Sequence, residues 1–492
     1  MPTSPSATLD RLARLTSGRV RGPGGTVVTG VTHDSRRVRP GDLFAAVPGF
    51  ERDGHEFVAA AAAAGAAAAM VSRPGDWPLP VLEVADVRAA MGPASHAIWG
   101  DPTRRLAVVG ITGTNGKTTT SFMAAAILEA RWPQVAILGT LGIRRGSVAA
   151  ATGFTTPEAP DMARTFGQLA DDGVDAVAME VSSHALELGR TGGIHFAAGA
   201  FTNLSAEHLD FHGSMEAYGE SKLRFFRRLR ELGVPAVVNA DDPWGERFRE
   251  AGPPGTWRFS LTDPSVEVAA ERIECEPDGT ELEVRTPAGS FATRLAMAGR
   301  FNAANALAAA ALGVALGIEP GRVGAALATV DRVPGRYEVY RGAGVTGVVD
   351  YAHTPLAFER ILATVRDTGP RRIFCIFGCG GERDRSKRPE MARIAGRLAD
   401  VAYVTIDNPR REPIERIMGD TLAGFEGTSA RWERIDDRAE AIRRAVTEAA
   451  PGDVVCLLGK GDEAYQWIGD EKLPWSDREA LQAALAEREA GG

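Results

Sequence analysis

The segment "RRLAVVGITGTNGKTTTSFMAAAILEAR", residues 104–131, decides the fold class. It opens with an apolar run of strand length, crosses a turn holding Gly110, Gly113 and Gly116, and continues in a helical pattern. Such a turn lets successive backbone N–H groups and the helix N-terminus surround a phosphate. Lys117 is placed to reach the β- and γ-phosphates of a nucleotide, and the Thr118 hydroxyl to coordinate Mg²⁺. The phosphate-binding stretch therefore comprises Gly113, Thr114, Asn115, Gly116, Lys117, Thr118 and Thr119. A chance glycine turn explains the glycines but not the succession of strand, Gly-Lys-Thr and helix. ATP or GTP is the expected ligand.

Outward from this segment, "VDAVAMEVSSHA", "FAAGAFTNLS" and "VPAVVNADDP" read as further buried strands, separated by helical stretches such as "MEAYGESKLRFFRRLREL". This alternation predicts an α/β fold with a mostly parallel sheet. The stretch "VEVAAERIECEPDGTELEVRTPAGSFATRLA" alternates in period two about an Asp-Gly turn and predicts a hairpin. Pro334 and Gly335 interrupt the pattern, and beyond them four strand-helix repeats predict a second, doubly wound unit. Residues 1–100 hold short β-like runs and an alanine-rich helix. The expected domains are 1–100, 101–333 and 334–492.

The 492-residue chain has a net charge of −8 and a pI near 5.7, which excludes an extended nucleic-acid surface. Four cysteines without a Cys-x-x-Cys pair fit a reducing compartment better than a disulfide framework. No secretory signal or membrane span is expected, so the chain reads as cytoplasmic, without membrane insertion.

Several residues carry two readings. Glu180 ends a strand, where an acid suits Mg²⁺ and a solvated carboxylate is equally natural. His208 alone reads as a structural hydrogen-bonding residue, and Lys222 as a solvated helix lysine. Asn302 and Asn305 open an alanine-rich helix, where asparagines serve as caps. "TIDNPRREP", residues 405–413, follows a predicted strand with an Asn-Pro turn and two arginines.

The general phosphate-loop pattern has glycine where Ile111 stands, and the variant "GTNGKT" resembles the Mur ligase and folylpolyglutamate synthetase superfamily. "EVSSH", "NLSAEHLDFHG" and a lysine on the next helix follow in the order found in Mur ligases. That resemblance implies Mg²⁺ ligation by Thr118, Glu180, His208 and a carbamylated Lys222. It places Asn302 and Asn305 near the adenine of ATP, with Arg336, Asp350 and His353 reaching the nucleotide from the C-terminal domain.

The resemblance spans essentially the whole chain and is nearest the MurE type, the UDP-N-acetylmuramoyl-tripeptide synthetases. It implies that Ser35, Thr155, Thr156, Ser182 and Arg190 bind a UDP-N-acetylmuramoyl dipeptide. It assigns Arg383, Asp407, Asn408, Pro409, Arg410, Gly459 and Glu463 to the incoming diamino acid, meso-diaminopimelate, whose second carboxylate suits the planar fork of arginine. The implied reaction is ATP-dependent amide formation through an acyl phosphate, in peptidoglycan precursor synthesis, by a monomer. The sequence departs from the family at Asp462 (usually histidine), Leu356, Leu188 and His33. Those departures leave room for a paralogue adding lysine or another amino acid. Other readings are a folylpolyglutamate synthetase, against which the N-terminal "DSRRVRPGDLF" counts, and a switch or motor NTPase acting on a macromolecule.

Overall fold

Runs of valine, isoleucine and alanine bounded by glycine form strands covered on both faces, and among the described residues they build three sheets of five or more strands, beside two two-stranded pairs. The computed structural model describes residues 5–49, 52–146, 148–150, 152–276 and 278–491. The N-terminal sheet has the spatial order Arg19–Arg21, Val81–Glu83, Ala68–Val71, Asp42–Ala45 and Gly30–Thr32. Its strands are parallel except the first.

The central sheet has 11 strands. Its parallel middle runs from Val135–Gly139 through Ala176–Glu180, Ala107–Thr112, Phe196–Phe201, Ala236–Asn239 and Trp257–Ser260 to Val268–Glu276. Antiparallel strands extend both edges. The expected hairpin is present: Val268–Glu276 pairs with Gly279–Thr286, ending at the Glu276–Gly279 pair. Pro277 of its turn lies outside the described residues.

The strand Ala107–Thr112 lies inside this sheet and feeds the helix Lys117–Glu129. That helix packs on the helix Arg300–Ala315, whose alanines 306 and 308–311 are wholly buried. Small residues are required there. A Cβ on Gly313 would lie 2.4 Å from Ile127 Cγ2.

The C-terminal sheet runs Glu338–Gly342, Val345–Asp350, Val454–Leu458, Ile373–Phe377, Val401–Val404, Arg431–Arg434, parallel after the first pair. The strand Val454–Leu458 is inserted between two earlier strands. Loops distant in sequence therefore meet at one carboxyl edge, where doubly wound sheets bind ligands. A wholly buried ion pair fixes the end of that strand. Arg438 Nε and Nη2 donate to Asp477 at 2.7 and 2.5 Å, and Nη2 also donates to Leu458 O at 3.2 Å. Among the described residues no helix is long and apolar enough to cross a membrane.

His96, in the helix Val87–Ile98, is wholly buried beside Phe166 and Gly193 of the central domain. Neither ring nitrogen has a hydrogen-bond partner among the described residues. Burial, with a smaller contribution from His195, lowers its pKa from 6.5 to about 4. The unfolded chain therefore takes up a proton that the native chain refuses, and native stability falls as pH drops from 6.5 through 4. At its fullest the loss is roughly 3 kcal/mol. Urea unfolding at pH 7 and pH 4.5 should show His96→Leu losing less stability on acidification than the parent. Equal losses would refute this account.

Candidate active site

Two glycines let the phosphate loop close. Gly113 and Gly116 have φ of 152° and 85°, and Cβ atoms there would lie 2.0 Å from Thr202 Oγ1 and 2.2 Å from Asn305 Oδ1. The neighbouring strand end braces the loop. Thr114 N donates to Asn203 O at 2.8 Å and Asn115 N to Asn203 Oδ1 at 3.0 Å. Asn203 Nδ2 and Thr202 Oγ1 both donate to Asn115 O, at 2.9 and 2.7 Å.

Two lysine side chains converge on this loop. Lys117 Nζ donates to Gly113 O at 2.9 Å and to Thr114 O at 2.7 Å. Lys222 Nζ donates to the same Gly113 O at 2.8 Å, from the buried face of the helix Met215–Leu232, and lies 4.8 Å from the Tyr218 ring centre. Lys222 is 1% exposed, not a solvated helix lysine. Burial, then Lys117, pushes its amine well below the usual lysine range.

Glu180 is buried at the end of its strand, which removes the solvated-carboxylate reading. Its Oε1 accepts from Thr118 Oγ1 at 3.0 Å and Thr140 N at 2.9 Å, and Oε2 accepts from Thr140 Oγ1 at 3.1 Å. His208 has φ of 55° and packs its ring 4.7 Å from that of His184. Desolvation lowers its pKa to about 4, against the pull of Glu207, so the imidazole is neutral at pH 7. Thr118, Glu180 and His208 line one cavity of about 600 Å³ between the central and C-terminal sheets. Lys222 lies behind the loop and not in the cavity wall.

The C-terminal domain supplies the opposite wall. Arg336 Nη2 donates to Thr118 Oγ1 at 3.4 Å and Nη1 to Asp462 Oδ1 at 3.2 Å, with the guanidinium 4.6 Å from the Tyr351 ring centre. Asp350 accepts from Tyr337 N at 2.8 Å and Ala352 N at 2.6 Å, so its carboxylate shapes the loop that carries Arg336. His353 Nε2 lies 3.2 Å from Glu207 Oε1. Burial works against the charge on Glu207, but His353, His208 and Lys117 hold its carboxyl well below the usual range.

Asn302 and Asn305 also line this end of the fold, and neither is a cap. The helix begins at Arg300 with Gly299 as its cap. Asn302 Nδ2 instead donates to Ala298 O at 2.9 Å, while Asn305 Oδ1 accepts from Thr120 Oγ1 at 3.4 Å.

On the remaining side, Thr155 Oγ1 lies 3.1 Å from Thr140 Oγ1, and Thr156 Oγ1 donates to Glu180 O at 2.9 Å. Ser182 caps the helix Ser183–Glu187, and Arg190 pairs with Glu158 at 2.7 Å. Ser35 opens the turn Ser35–Arg37 of the N-terminal domain, which reaches the central domain through Arg37 and Asp161 at 3.1 Å.

At the C-terminal sheet edge, a Cβ on Gly380 would lie 3.5 Å from Arg410 Nη1 and 3.8 Å from Arg383 Cγ, so the two arginines flank one glycine. Arg410 sits at φ 52°, donates to Gly381 O and lies over Trp467, with no carboxylate partner among the described residues. Pro409 is buried beneath it, its carbonyl accepting from Glu412 N at 3.1 Å. Asn408 Nδ2 donates to Glu463 Oε2 at 2.7 Å, and Gly459, φ 107°, brings its backbone beside Asp407. Sequence reasoning missed Asn203, Glu207 and Lys460, although each adjoins or belongs to a motif it used.

The chain matches three consecutive family models: the Mur ligase family catalytic domain over residues 27–98, the Mur ligase middle domain over 111–313, and the Mur ligase glutamate ligase domain over 335–461. It is 41% identical to the UDP-N-acetylmuramoyl-L-alanyl-D-glutamate–2,6-diaminopimelate ligase of Geobacillus thermodenitrificans, covering 97% of this chain and 99% of that protein. The chain belongs to the Mur ligase family. The Geobacter metallireducens enzyme of the same name is 42% identical, over 94% of this Mur ligase and 95% of its relative. A solved structure of a ligase of that name has a TM-score of 0.73 at 30% identity, covering 98% of this chain and 99% of that one. MurF from Acinetobacter baumannii, with a TM-score of 0.66 at 22% identity and coverage of 99% and 100%, shares the fold.

Asn203→Ala removes both side-chain bonds to the Asn115 peptide. With about 1–3 kcal/mol at stake, ADP binding measured by calorimetry should weaken by about tenfold or more. Unchanged affinity would show that the brace is dispensable.

Proposed function

We propose that this Mur ligase uses ATP to add meso-2,6-diaminopimelate to the D-glutamate γ-carboxylate of UDP-N-acetylmuramoyl-L-alanyl-D-glutamate. One observation carries the reading. A continuous line of contacts from Thr118 through Arg336 to Asp462 ends one residue before Glu463, which belongs to the unpaired-arginine site. A nucleotide cavity and a receptor for a dicarboxylate, diamine-bearing molecule are thus adjacent.

In this reading the γ-carboxylate attacks the ATP γ-phosphorus, ADP departs, and an acyl phosphate forms. The diaminopimelate amine then attacks the acyl carbon, loses its proton and expels phosphate, leaving the amide. Lys117 binds the β- and γ-phosphates and turns away from the Gly113 and Thr114 carbonyls to do so. Arg336 approaches the same phosphates from the other domain. Asn302 and Asn305 border the adenine. Ser35, Thr155, Thr156, Ser182 and Arg190 hold the UDP-dipeptide, and Arg383, Arg410, Asp407 and Glu463 orient the diamino acid. Fixed charge and positioning supply the rate enhancement, with no protein nucleophile.

Mg²⁺ fits the residues present: the buried Glu180 carboxylate, the Thr118 hydroxyl bonded to it, and the neutral His208. When bound, it would draw charge from the transferring phosphoryl group. Among the described residues no three His, Cys, Asp or Glu side chains gather as a metal site, so a further anionic donor is wanted. Lys222 supplies it as a carbamate. Its buried amine, pushed toward the neutral form, adds to CO₂ with loss of a proton, and the resulting anion gives Lys117 an opposite charge beside the shared carbonyl. We take the working unit to be a monomer, which the sedimentation of the purified protein tests. ATP and a UDP-linked substrate support a cytoplasmic setting.

The test supplies ATP, Mg²⁺ and the UDP-dipeptide, and follows phosphate release with diaminopimelate, lysine, ornithine or no amino acid. Dependence on an amino acid with preference for diaminopimelate is expected. Release without any amino acid would overturn the ligase reading, and preference for lysine would overturn the substrate reading alone. Separately, Lys222→Ala should lose about 100-fold or more in kcat, as losses of oriented charge do, and recover partly with short-chain carboxylic acids. Near-normal activity of that variant would rule out the carbamate.

A further inference from the structure

Lys460 belongs to the stretch Gly459–Glu463 but has no part in the chemistry above. Its side chain is fully buried. Its Nζ lies 3.0 Å from Asp407 Oδ1, 3.0 Å from Asn408 Oδ1, 3.2 Å from Glu463 Oε2 and 2.9 Å from Tyr465 O. An ammonium has three protons, so four oxygens at this range leave it nothing to offer a ligand. Its influence on a substrate must pass through its neighbours.

Those neighbours face the substrate. Asn408 is locked, because its Oδ1 accepts from Lys460 and from Trp467 N at 2.8 Å, leaving Nδ2 to hold Glu463. Adjacent ions are neutralised among themselves: Arg388 and Arg385 with Glu412 and Asp420, and Arg411 with Asp470. The charges left at the pocket are Arg383, Arg410 and Lys460 against Asp407 and Glu463. They sum to +1, and without Lys460 to zero.

The reacting form of a diamino acid has a neutral attacking amine and an α-carboxylate. In diaminopimelate the distal end is a zwitterion, so the molecule carries −1. In lysine the distal end is a bare ammonium, so the molecule carries none. A pocket of +1 complements the first and repels the cationic end of the second, and a neutral pocket loses both preferences.

We propose that Lys460 is a specificity-determining positioning residue: by holding Asp407 and Glu463 and cancelling one of their charges, it biases the pocket against singly cationic side chains and toward a distal zwitterion. This inference rests on the diaminopimelate reading, and the experiment separates the two. Full-length Lys460→Met is assayed for phosphate release with meso-diaminopimelate and with lysine, alongside ADP calorimetry and thermal unfolding. The ratio of kcat/KM for diaminopimelate to that for lysine should fall by about tenfold, mostly through the amino-acid KM, while ADP affinity holds. Equal losses with both amino acids would overturn the inference and leave Lys460 a structural residue.

Asp407→Asn changes the charge sum in the opposite sense and must move the ratio toward diaminopimelate. A shift toward lysine would also overturn the inference, and this arm serves if the methionine variant does not fold. If the parent protein itself prefers lysine, the substrate reading fails. The role of Lys460 is then still decided by the direction in which the two variants shift the ratio.

Discussion

One carbonyl oxygen organises the centre of this molecule. Gly113 O accepts from both Lys117 and Lys222, and its two lone pairs are then fully used. Two amino groups on one neutral acceptor in a desolvated place do not both hold a proton cheaply, so the Lys222 amine is pushed toward its neutral form and nearby anions favour the charge on Lys117. The fold arranges for anions on both sides. Phosphate comes from the cavity, and Glu180 and Glu207 come from the ends of neighbouring segments of the central domain. The position of this carbonyl is in turn fixed by the strand Ala107–Thr112 behind it and by Asn203 beside it.

What the sequence made legible was local. Strand, glycine turn, Lys-Thr and helix occupy one short span, and each imposes its own backbone requirement, so the phosphate loop and the alternation around it could be read directly. The positions of the three sheets and the hairpin followed from period and turn chemistry. What stayed hidden depends on segments far apart in the chain. Asn203 acts on Asn115 across 88 residues, and Glu207 meets His353 across 146. Burial was the other blind spot. Glu180 and Lys222 look like surface residues in sequence, and only packing reveals that neither touches much solvent. Asn302 and Asn305 resembled caps because asparagine near a helix start usually is one. Here Gly299 takes that place, and both amides are turned to neighbours inside the fold.

Departures from the Mur ligase pattern acquire a physical meaning in this setting. Asp462 stands where the family usually has histidine, and its carboxylate receives Arg336. The replacement therefore keeps a polar partner beside Arg336 while changing its charge. Arg410 reaches its place through a left-handed backbone conformation that asparagine and glycine adopt more easily. The hairpin of strands Tyr465–Ile468 and Glu471–Pro474, bonded to Arg410 N and O at 3.0 and 2.8 Å, holds the residue in that conformation.

In the proposed function Asp462 and Glu463, consecutive residues, face different substrates. The first holds the arginine that touches the phosphate loop, and the second is held by the amide that borders the amino-acid pocket. A single peptide unit cannot answer one ligand while ignoring the other. On that reading a pull exerted on Arg336 by a nucleotide would pass to Glu463 through one peptide unit, and reciprocity would require the amino acid to return the same coupling free energy. Order of addition and mutual affinity would then be properties of one short turn, not of two separate sites.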